Sequence, residues 1–486
     1  MNVTDPIRRQ AQASPDAEAV IRPNGRSVSY RELDRMIDYL AAGLRGLGLA
    51  PGAIVGVRIG RGRPYRDFCF RLALARLGIV SAPGSTPVGK LDLCLIDGAA
   101  SDDPVGRFER ADRLWTEHPA ASTAVPEVPS HPDGSAVCAL FPTSGTTGVP
   151  RLVVASHDQI ARRIATVTPL FRPPDTRMIC TIGAETAYGF ARRLSVLWKG
   201  GVVVMTTQPG QIPAFVERHR VDRLVTSPFT LQRVLQGLSP DAGPFPSLQQ
   251  IEIGGGALPD RCYDIARQRL CANIITRYGA AEIGGIAEAA ISSLQGHPGA
   301  VGYVFPGVEV QAVDADDQPL PPGTEGVLRV RSGGCAGAYF DAPAASALVF
   351  RDGWVYPGDV GTVAPDGLVT LAGRPSELIN QGGVKVSPQL IEEVLLSVPE
   401  IGEAAAFGVP DDMGITRVWA AIVPNGRVDM SAVHALCRER LRMRAPTSIV
   451  QMEALPRNEA GKVLRDVLRK RAMAESSKPG GLPETP

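Results

Sequence analysis

The sequence predicts an α/β protein in which doubly wound sheets are followed by a β-rich unit and by a compact α+β segment. Helices followed by buried strands recur in the first half of the chain, and such units are typical of parallel sheets with helices on both faces. From about Val301, short alternating strands separated by Pro, Gly and Asp turns predict antiparallel β structure. After Gly373, helices and strands alternate again over a shorter stretch.

The first helix–strand unit shows the pattern that recurs. Ser29 and Glu32 form a capping box at the start of an amphipathic helix, which a Pro–Gly pair ends. The apolar run Ala53–Ile59 then predicts a buried strand. Residues 215–227 and 262–279 repeat this order of helix and strand. Repeated units of this kind place ligand-binding loops at the ends of the strands.

The C-terminal segment is predicted from a second set of signals. Ser387 as N-cap and Pro388 at the first helical position begin a helix. Strands follow near residues 404–409 and 418–423, and a further helix lies around residues 432–442. The tail beyond these elements is polar and rich in Pro and Gly, which predicts disorder.

Composition excludes several classes of function. The chain has 486 residues with 51 Lys+Arg and 50 Asp+Glu, so its net charge of +1 gives no overall field for nucleic acid or an anionic membrane. The eight cysteines show no C-x-x-C spacing, which argues against a zinc site or a disulfide scaffold. Because no apolar run is long enough for a membrane span and no signal peptide is evident, we expect a cytoplasmic protein.

A loop rich in Ser, Thr and Gly between two predicted strands is the first candidate ligand site. Backbone N–H groups in such a turn can surround an anion, and hydroxyl groups add further donors, so phosphate is the natural ligand. The pattern differs from the G-x-x-x-x-G-K-[ST] phosphate loop, and a flexible surface loop is the alternative. The loop residues are Thr143, Ser144, Gly145, Thr146, Thr147 and Gly148, followed closely by Arg151.

Later stretches carry residues suited to the same ligand. The glycines Gly254–Gly256 follow a strand and allow the backbone to approach a flat group closely. Tyr278 at a strand end is suited to stacking on a base, and Glu282 is suited to holding Mg²⁺. Asp359 follows a Pro–Gly turn, where its carboxylate can accept both ribose hydroxyls, and Lys462 follows a glycine before a helix. Taken singly, a tight turn or a solvated charge explains each of them equally well.

Together and in this order, the stretches resemble the motifs of the AMP-forming adenylate superfamily, which includes acyl- and aryl-CoA ligases, adenylation domains of nonribosomal peptide synthetases and beetle luciferases. The resemblance extends from about Pro6 to Arg471. It implies a large N-terminal domain and a small, mobile C-terminal domain joined by a hinge at Pro375–Ser376. The implied divisions are an AMP-binding domain over residues 1–374, a lid domain over residues 377–472 and a disordered tail over residues 473–486.

The resemblance also implies two half-reactions. A carboxylate attacks the α-phosphorus of ATP to give acyl-AMP and pyrophosphate, and a thiol then displaces AMP. Because the first step brings two anions together, cations must offset their repulsion. The implied catalytic residues are Lys462 between the carboxylate and the α-phosphate, Glu282 on Mg²⁺, and Arg374 near the ribose and phosphates. The other implied cofactor-binding residues are Thr143–Gly148 at the β- and γ-phosphates, Gly254, Gly255 and Gly256 beside the adenine, Tyr278 stacked on it, Gly279, Ala280 and Ala281 after it, and Asp359 at the ribose.

The chain departs from the family's motifs at three of these sites. Arg151 stands where Lys is usual, and its planar fork replaces a point charge. Ala281 stands where Thr is usual, which removes a hydroxyl contact to the α-phosphate. Ser376 stands at the hinge in place of Asp or Lys. Ala281 and Ser376 give some weight to a degenerate nucleotide-binding protein. The residues that weigh against it are Glu282, Asp359, Arg374 and Lys462, which are retained.

The acid pocket and the thiol acceptor are less constrained. The family's pocket motif often reads His- or Phe-x-Tyr-Gly, whereas this chain reads Thr-Ala-Tyr-Gly, with Thr186 in the aromatic position. Ala187 stands where amino-acid-activating domains usually have Asp, so an aryl or medium aliphatic acid is favoured over an α-amino acid. Glu185 could contact an amine, although a polar surface residue is the simpler interpretation. Gly382 and Gly383 match small residues along the pantetheine tunnel of CoA ligases. The implied substrate-binding residues are Thr186, Ala187, Tyr188, Gly189, Gly254 and Gly383.

We therefore expect an acyl- or aryl-CoA ligase whose partners are a small carboxylic acid and CoA. The main alternative is a stand-alone adenylating enzyme that passes the acyl group to the phosphopantetheine of a carrier protein or to an amine. The pantetheine tunnel serves either thiol, so the sequence leaves this choice open.

Overall fold

The structure is a computed structural model, and it describes most of the chain. The described residues are 1–60, 62–97, 107–117, 126–143, 151–167, 176–239, 241–373, 379–381, 384–410, 416–457 and 463–476.

Helices cover the sheets of the N-terminal region and flank the sheet of the C-terminal region. The helices within the described ranges are α1 Asp5–Ala13, α2 Tyr30–Arg45, α3 Pro64–Arg76, α4 Ala111–Leu114, α5 His157–Val167, α6 Ala187–Leu197, α7 Ile212–His219, α8 Pro228–Gln236, α9 Asp260–Arg269, α10 Pro343–Val349, α11 Pro388–Leu396, α12 Met430–Leu441 and α13 Arg465–Ser476.

Strands alternate with these helices up to α9 and then dominate up to α11. The strands within the described ranges are β1 Glu18–Ile21, β2 Ser27–Ser29, β3 Ile54–Arg58, β4 Val80–Pro83, β5 Leu93–Ile96, β6 Phe108–Arg110, β7 Val137–Pro142, β8 Leu152–Ser156, β9 Arg177–Cys180, β10 Val202–Val204, β11 Arg223–Thr226, β12 Gln250–Gly254, β13 Ile274–Ala280, β14 Gly284–Ala290, β15 Ala300–Val304, β16 Val308–Val313, β17 Gly326–Ser332, β18 Phe350–Arg351, β19 Trp354–Val355, β20 Val360–Val363, β21 Leu368–Gly373, β22 Ile379–Gln381, β23 Val384–Val386, β24 Ile401–Pro410, β25 Thr416–Pro424 and β26 Ser448–Gln451.

The starts of α2 and α11 agree with the local sequence signals. At α2, the Ser29 hydroxyl accepts from the Glu32 amide at 3.2 Å, and the Glu32 carboxylate accepts from the Ser29 amide at 2.7 Å, which completes the predicted capping box. At α11, Ser387 is the N-cap and Pro388 the first helical residue, as predicted, but the Ser387 side chain makes no capping hydrogen bond. The two N-caps therefore stabilise their helices to different degrees.

The N-terminal region contains two large sheets. The first has the order β6-β5-β3-β4-β7-β8, parallel except for the antiparallel pair β7–β8. The second runs β2-β1-β10-β9-β11-β12-β13 with parallel pairing from β1 to β13, and it continues into antiparallel β14, β15, β21, β20, β17 and their neighbours. This confirms the predicted α/β class with doubly wound sheets and a β-rich subdomain, although the antiparallel strands begin at β14, earlier than the predicted boundary at Val301.

The C-terminal region is a separate three-stranded sheet, β24-β25-β26. Helices α11 and α12 contribute to one apolar core with this sheet, and α13 contributes to a second. Helix α13 extends to Ser476, so it includes the first residues of the segment predicted to be a disordered tail, and residues 477–486 lie outside the described part. A search of the described helices finds none that combines the length and apolarity needed to span a bilayer.

Candidate active site

The parallel pairing of β12 and β13 brings two of the predicted motifs to one edge of the sheet. Gly254 lies opposite Arg277 in the register, and Tyr278 is the next residue along β13. A register shift in the antiparallel pairing with β14 follows between Tyr278 and Gly279, and the pairing then continues to Ala280 opposite Gly284. The glycine motif and the tyrosine motif are therefore neighbours in space, as carboxyl ends of adjacent parallel strands must be.

Tyr278 and Asp359 form a direct pair at this edge. The Tyr278 hydroxyl donates to Asp359 Oδ2 at 2.5 Å, and Asp359 is only 4% exposed. The Asp359 carbonyl accepts from the Leu328 amide at 2.9 Å, which ties the turn before β20 to β17. Two residues predicted to bind the adenosine moiety, far apart in sequence, are thus in contact.

Glu282 lies in the turn between β13 and β14 and is held by a residue that the sequence did not single out. The Tyr339 hydroxyl donates to Glu282 Oε1 at 2.6 Å. Burial and the Glu282 charge raise the pKa of Tyr339, so the phenol stays protonated and remains a donor. Tyr339 precedes α10 in a Gly/Ala-rich stretch, where nothing in the local pattern indicates a partner for Glu282.

Glu282 fits a magnesium site shared with a nucleotide. Mg²⁺ is usually held by one or two carboxylates together with substrate phosphates and water, rather than by a cage of protein ligands. Glu282 supplies one such carboxylate, and no group of three or more His, Cys, Asp or Glu side chains suited to a metal occurs among the described residues.

Arg151 lies beside the Glu282–Tyr339 pair. It directly precedes β8, and its guanidinium carbon is 5.5 Å from the centroid of the Tyr339 ring, within cation–π range. Its carbonyl accepts from the Thr143 amide at 2.8 Å, which closes the base of the predicted phosphate loop. The Arg that replaces the family's usual Lys therefore contacts an aromatic ring.

The predicted acid pocket contains a close contact that requires glycine. A Cβ at Gly254 would lie 2.7 Å from Cε1 of Tyr188, so only glycine lets this ring pack against the end of β12. A Cβ at Gly189 would lie 2.1 Å from the carbonyl oxygen of Gly183. The two predicted pocket glycines are thus needed for steric reasons.

A buried charge network lies behind Tyr188. Glu252 is 2% exposed and pairs with Arg192 at 2.7 Å and with Arg277 at 3.2 Å, while Tyr188 donates its hydroxyl to the same carboxylate. Burial alone would raise the pKa of Glu252, but the two guanidiniums hold that pKa below its ordinary value. Arg277 also pairs with Glu288. This network was not predicted from the sequence, although a lone Glu within the apolar run of β12 is a signal for a buried charge pair.

The first residues of α6 have structural roles as well. Thr186 is the N-cap, and its hydroxyl accepts from the Gly189 amide at 3.0 Å and donates to the Gly183 carbonyl at 2.9 Å. Ala187 follows and is buried. The Glu185 carboxylate lies against Gly183, because a Cβ atom at Gly183 would be 2.0 Å from Glu185 Oε1.

Several predicted site residues lie outside the described ranges. These residues are Ser144, Gly145, Thr146, Thr147, Gly148, Arg374, Gly382, Gly383 and Lys462, and the predicted hinge Pro375–Ser376 also lies outside the described ranges.

The C-terminal region contacts the N-terminal region next to the glycine motif. The Arg457 guanidinium lies 4.3 Å from the centroid of the Phe229 ring at the start of α8. The Gln232 side chain donates to the Gly402 carbonyl at 2.6 Å. Because Pro228 lies 3.8 Å from the Cβ position of Gly256, these contacts bring the segment before Lys462 close to the site.

Sequence comparison identifies the family. The pattern of AMP-binding enzymes matches residues 7–86 and 93–340, and the pattern of the AMP-binding enzyme C-terminal domain matches residues 390–462. The chain belongs to the AMP-binding enzyme family. The predicted resemblance to AMP-forming adenylating enzymes is therefore confirmed.

Curated relatives in the AMP-binding family align along nearly the whole chain. A feruloyl-CoA synthase from Amycolatopsis sp is 29% identical over 501 residues, covering 96% of this chain and 98% of its own. A salicyl-AMP ligase / salicyl-S-ArCP synthetase from Mycobacterium tuberculosis is 28% identical, with 95% and 88% covered. An indoleacetate–CoA ligase from Aromatoleum aromaticum is 27% identical, with 96% and 98% covered.

A solved structure shares the fold. The o-succinylbenzoate CoA synthetase of Bacillus subtilis, bound to its acyl-adenylate intermediate, superimposes with a TM-score of 0.84 at 21% identity, covering 96% of this chain and 98% of that one. The chain is an AMP-forming acid–thiol ligase, which activates a carboxylic acid to acyl-AMP and then forms a thioester, as the sequence predicted.

Proposed function

We propose that this AMP-binding enzyme is an aryl-CoA ligase, in which an aromatic carboxylic acid is the substrate and CoA is the acceptor. The observation that carries the proposal is the contact of the Tyr188 ring with Gly254, at the edge of the sheet that also holds Tyr278 and Asp359. This geometry sets a flat apolar wall beside the adenosine residues, and a planar acid fits such a wall better than a flexible chain does.

The charges around the wall support a neutral ring as the bound group. Glu252 pairs with Arg192 and Arg277, so the Glu252 carboxylate is already neutralised by two guanidiniums. The Tyr188 hydroxyl is used within the same network. An ammonium on the acid would therefore find no free carboxylate among these residues, which agrees with Ala187 in place of Asp.

The first half-reaction uses the paired residues of the site. In the proposed arrangement, Tyr278 stacks on the adenine, Asp359 accepts from the ribose hydroxyls, and the Thr143–Gly148 loop holds the β- and γ-phosphates. The acid carboxylate attacks the α-phosphorus, the bond to the bridging oxygen of the β-phosphate breaks, and pyrophosphate leaves. Glu282 would hold Mg²⁺, which would supply positive charge against the phosphates, and Lys462 and Arg374 would supply further positive charge at the α-phosphate.

The second half-reaction transfers the acyl group to a thiol. The thiol sulfur attacks the carbonyl carbon of acyl-AMP, loses its proton, and AMP leaves as the carbonyl reforms. Gly383 is the proposed small residue along the pantetheine path. Relatives named for ferulate and indoleacetate use CoA, whereas the salicyl-AMP ligase is also named for a carrier protein, which is the second candidate acceptor.

Product analysis separates these possibilities. The enzyme is incubated with ATP, Mg²⁺ and either CoA or a phosphopantetheinylated carrier protein, using ferulate, salicylate, indoleacetate, hexanoate and phenylalanine as acids. We expect aromatic acyl-CoA and AMP by mass spectrometry. Preference for hexanoate would contradict the aryl assignment, and aromatic acyl-AMP that leaves CoA unchanged but loads the carrier protein would contradict the choice of CoA.

A further inference from the structure

The segment that contains Tyr339 is bound to the strand that follows the predicted phosphate loop. The Phe340 amide donates to the Leu152 carbonyl at 2.7 Å, and the Val154 amide donates to the Ala338 carbonyl at 3.2 Å. Val153 and Tyr339 form an isolated antiparallel bridge. This pairing fixes Tyr339 next to β8, and it is the reason that Arg151, directly before β8, reaches the tyrosine ring.

The same segment also fixes Glu282, at both its backbone and its side chain. The Glu282 carbonyl accepts from the Ala336 amide at 2.7 Å, and Arg163 donates to it at 3.3 Å. The Glu282 Oε1 atom accepts from Tyr339 at 2.6 Å, whereas no described residue donates to Oε2. The carboxylate is therefore held in one orientation with its second oxygen available.

Tyr339 is itself rigid, which a positioning residue requires. It is 6% exposed, and its amide donates to the Ser346 hydroxyl at 2.9 Å. Its ring packs edge-on against Phe350 with centroids 5.1 Å apart, and the Arg151 guanidinium lies over it. A planar guanidinium stacks on an aromatic face, whereas a lysine ammonium is a compact, strongly hydrated charge. The replacement of the usual Lys by Arg at position 151 suits this contact.

We propose that Tyr339 is a positioning residue that orients Glu282 for the Mg²⁺ of MgATP, and that Arg151 acts through Tyr339 by stacking on its ring. The inference rests on the proposed role of Glu282 as the magnesium ligand. Groups that orient a metal ligand typically change metal affinity about 10- to 100-fold when they are removed. The Tyr339 hydroxyl is such a group, because it determines which carboxylate oxygen faces the nucleotide.

The test is ATP binding by calorimetry at increasing free Mg²⁺, with an EDTA baseline. Mg²⁺ is expected to tighten ATP binding, and the Mg²⁺ concentration that gives half of this effect is the Mg²⁺ midpoint. We expect Tyr339→Phe to raise this midpoint by about 10- to 100-fold, with ATP affinity in EDTA unchanged. Tyr303→Phe, at a tyrosine that is 41% exposed, is the matched control and should not shift the midpoint. An unchanged midpoint in Tyr339→Phe would overturn the positioning role, and lost affinity in EDTA would show a general structural defect instead.

Glu282→Gln separates this inference from the proposed function. If Glu282→Gln abolishes the Mg²⁺ response but Tyr339→Phe leaves it unchanged, only the positioning role is wrong. If Glu282→Gln leaves the Mg²⁺ response intact, the ligand assignment and the positioning role are both wrong. Absence of any Mg²⁺ effect in the wild-type protein would also overturn both.

A double-mutant cycle tests the role of Arg151. We expect Arg151→Lys to raise the Mg²⁺ midpoint in the wild-type background and to have little further effect in Tyr339→Phe, because the two side chains act through one carboxylate. Fully additive effects would show that Arg151 acts independently of Tyr339, by direct contact with a phosphate, and would overturn that part of the proposal.

Discussion

At the scale of single residues, the site depends on side chains that orient one another. The Tyr278 hydroxyl is bound to Asp359 at 2.5 Å, and the Tyr339 hydroxyl is bound to Glu282 at 2.6 Å. In each pair a phenol fixes a carboxylate that is proposed to bind part of MgATP. Such a fixed carboxylate loses less conformational freedom on binding, so more of the interaction energy is available for affinity.

We expect the hydrogen bond between Tyr278 and Asp359 to contribute measurably to nucleotide binding. We expect Tyr278→Phe to weaken ATP binding by roughly 10- to 100-fold, since a hydrogen bond to a charged group contributes about 1.5–3 kcal/mol. The stacking ring is retained, so the effect is assigned to the hydroxyl. Equilibrium binding of ATP is the measurement, with Tyr303→Phe as the control, and unchanged affinity would contradict the proposed ribose site.

Gly254 is expected to control access of the acid. In Gly254→Ala, the new methyl group would lie 2.7 Å from the Tyr188 ring, which has to shift within a packed pocket. We expect the KM for the acid to rise several-fold more than the KM for ATP, in steady-state kinetics. Gly210→Ala, at a glycine with no heavy atom within 4 Å of its Cβ position, is the control. Equal changes in both KM values would argue that Tyr188 does not line the acid pocket.

At the scale of secondary structure, the two N-cap serines differ in a way that stability should report. We expect Ser29→Ala to lower the free energy of unfolding by about 1 kcal/mol, because it breaks a capping box. Ser387→Ala should cost clearly less, because that serine makes no capping bond. Urea unfolding of both variants is the measurement. Equal costs would show that the cap geometry is not the source of the stability.

Elements of this kind are predictable because their signals are local. The capping box at Ser29, the Pro388 helix start and the strands β24 and β25 all follow from short patterns in the chain. The pairing partners of the site were not predictable in the same way. Tyr339 and Glu282 are 57 residues apart in the sequence, and Tyr188 and Glu252 are 64 residues apart. Only the completed sheet order brings each pair together.

At the scale of the whole molecule, the N-terminal core contains a buried titratable group. His157 is fully buried at the start of α5, and its Nδ1 accepts from the Val3 amide at 3.2 Å. Burial, with a smaller effect from nearby positive charge, lowers the pKa of His157 to about 4. The His157 ring is therefore neutral in the folded protein at neutral pH.

This group makes stability depend on pH. Between about pH 6.5 and pH 4 the unfolded histidine binds a proton that the folded one does not, so the free energy of unfolding falls as pH is lowered through this window. The loss is about 3 kcal/mol at most. Urea titrations across this range should show a shallower pH dependence in His157→Gln than in the exposed control His297→Gln. The same pH dependence in both variants would contradict a buried neutral His157.

The C-terminal region contacts the N-terminal region at α8. Arg457 stacks on Phe229, and Gln232 binds the Gly402 carbonyl, so the C-terminal region rests on α8 beside the glycine motif. Lys462 follows Arg457 by only a few residues. Arg457, the last described residue before Lys462, therefore lies on α8 beside the glycine motif.

The most direct measurement of the central claim is acid-dependent exchange of labelled pyrophosphate into ATP. It reports acyl-AMP formation alone, because no thiol is present. The account predicts exchange that requires Mg²⁺ and is faster with aromatic acids such as ferulate or salicylate than with hexanoate or phenylalanine. Exchange that is fastest with an aliphatic or amino acid, or no exchange with any carboxylic acid, would contradict it.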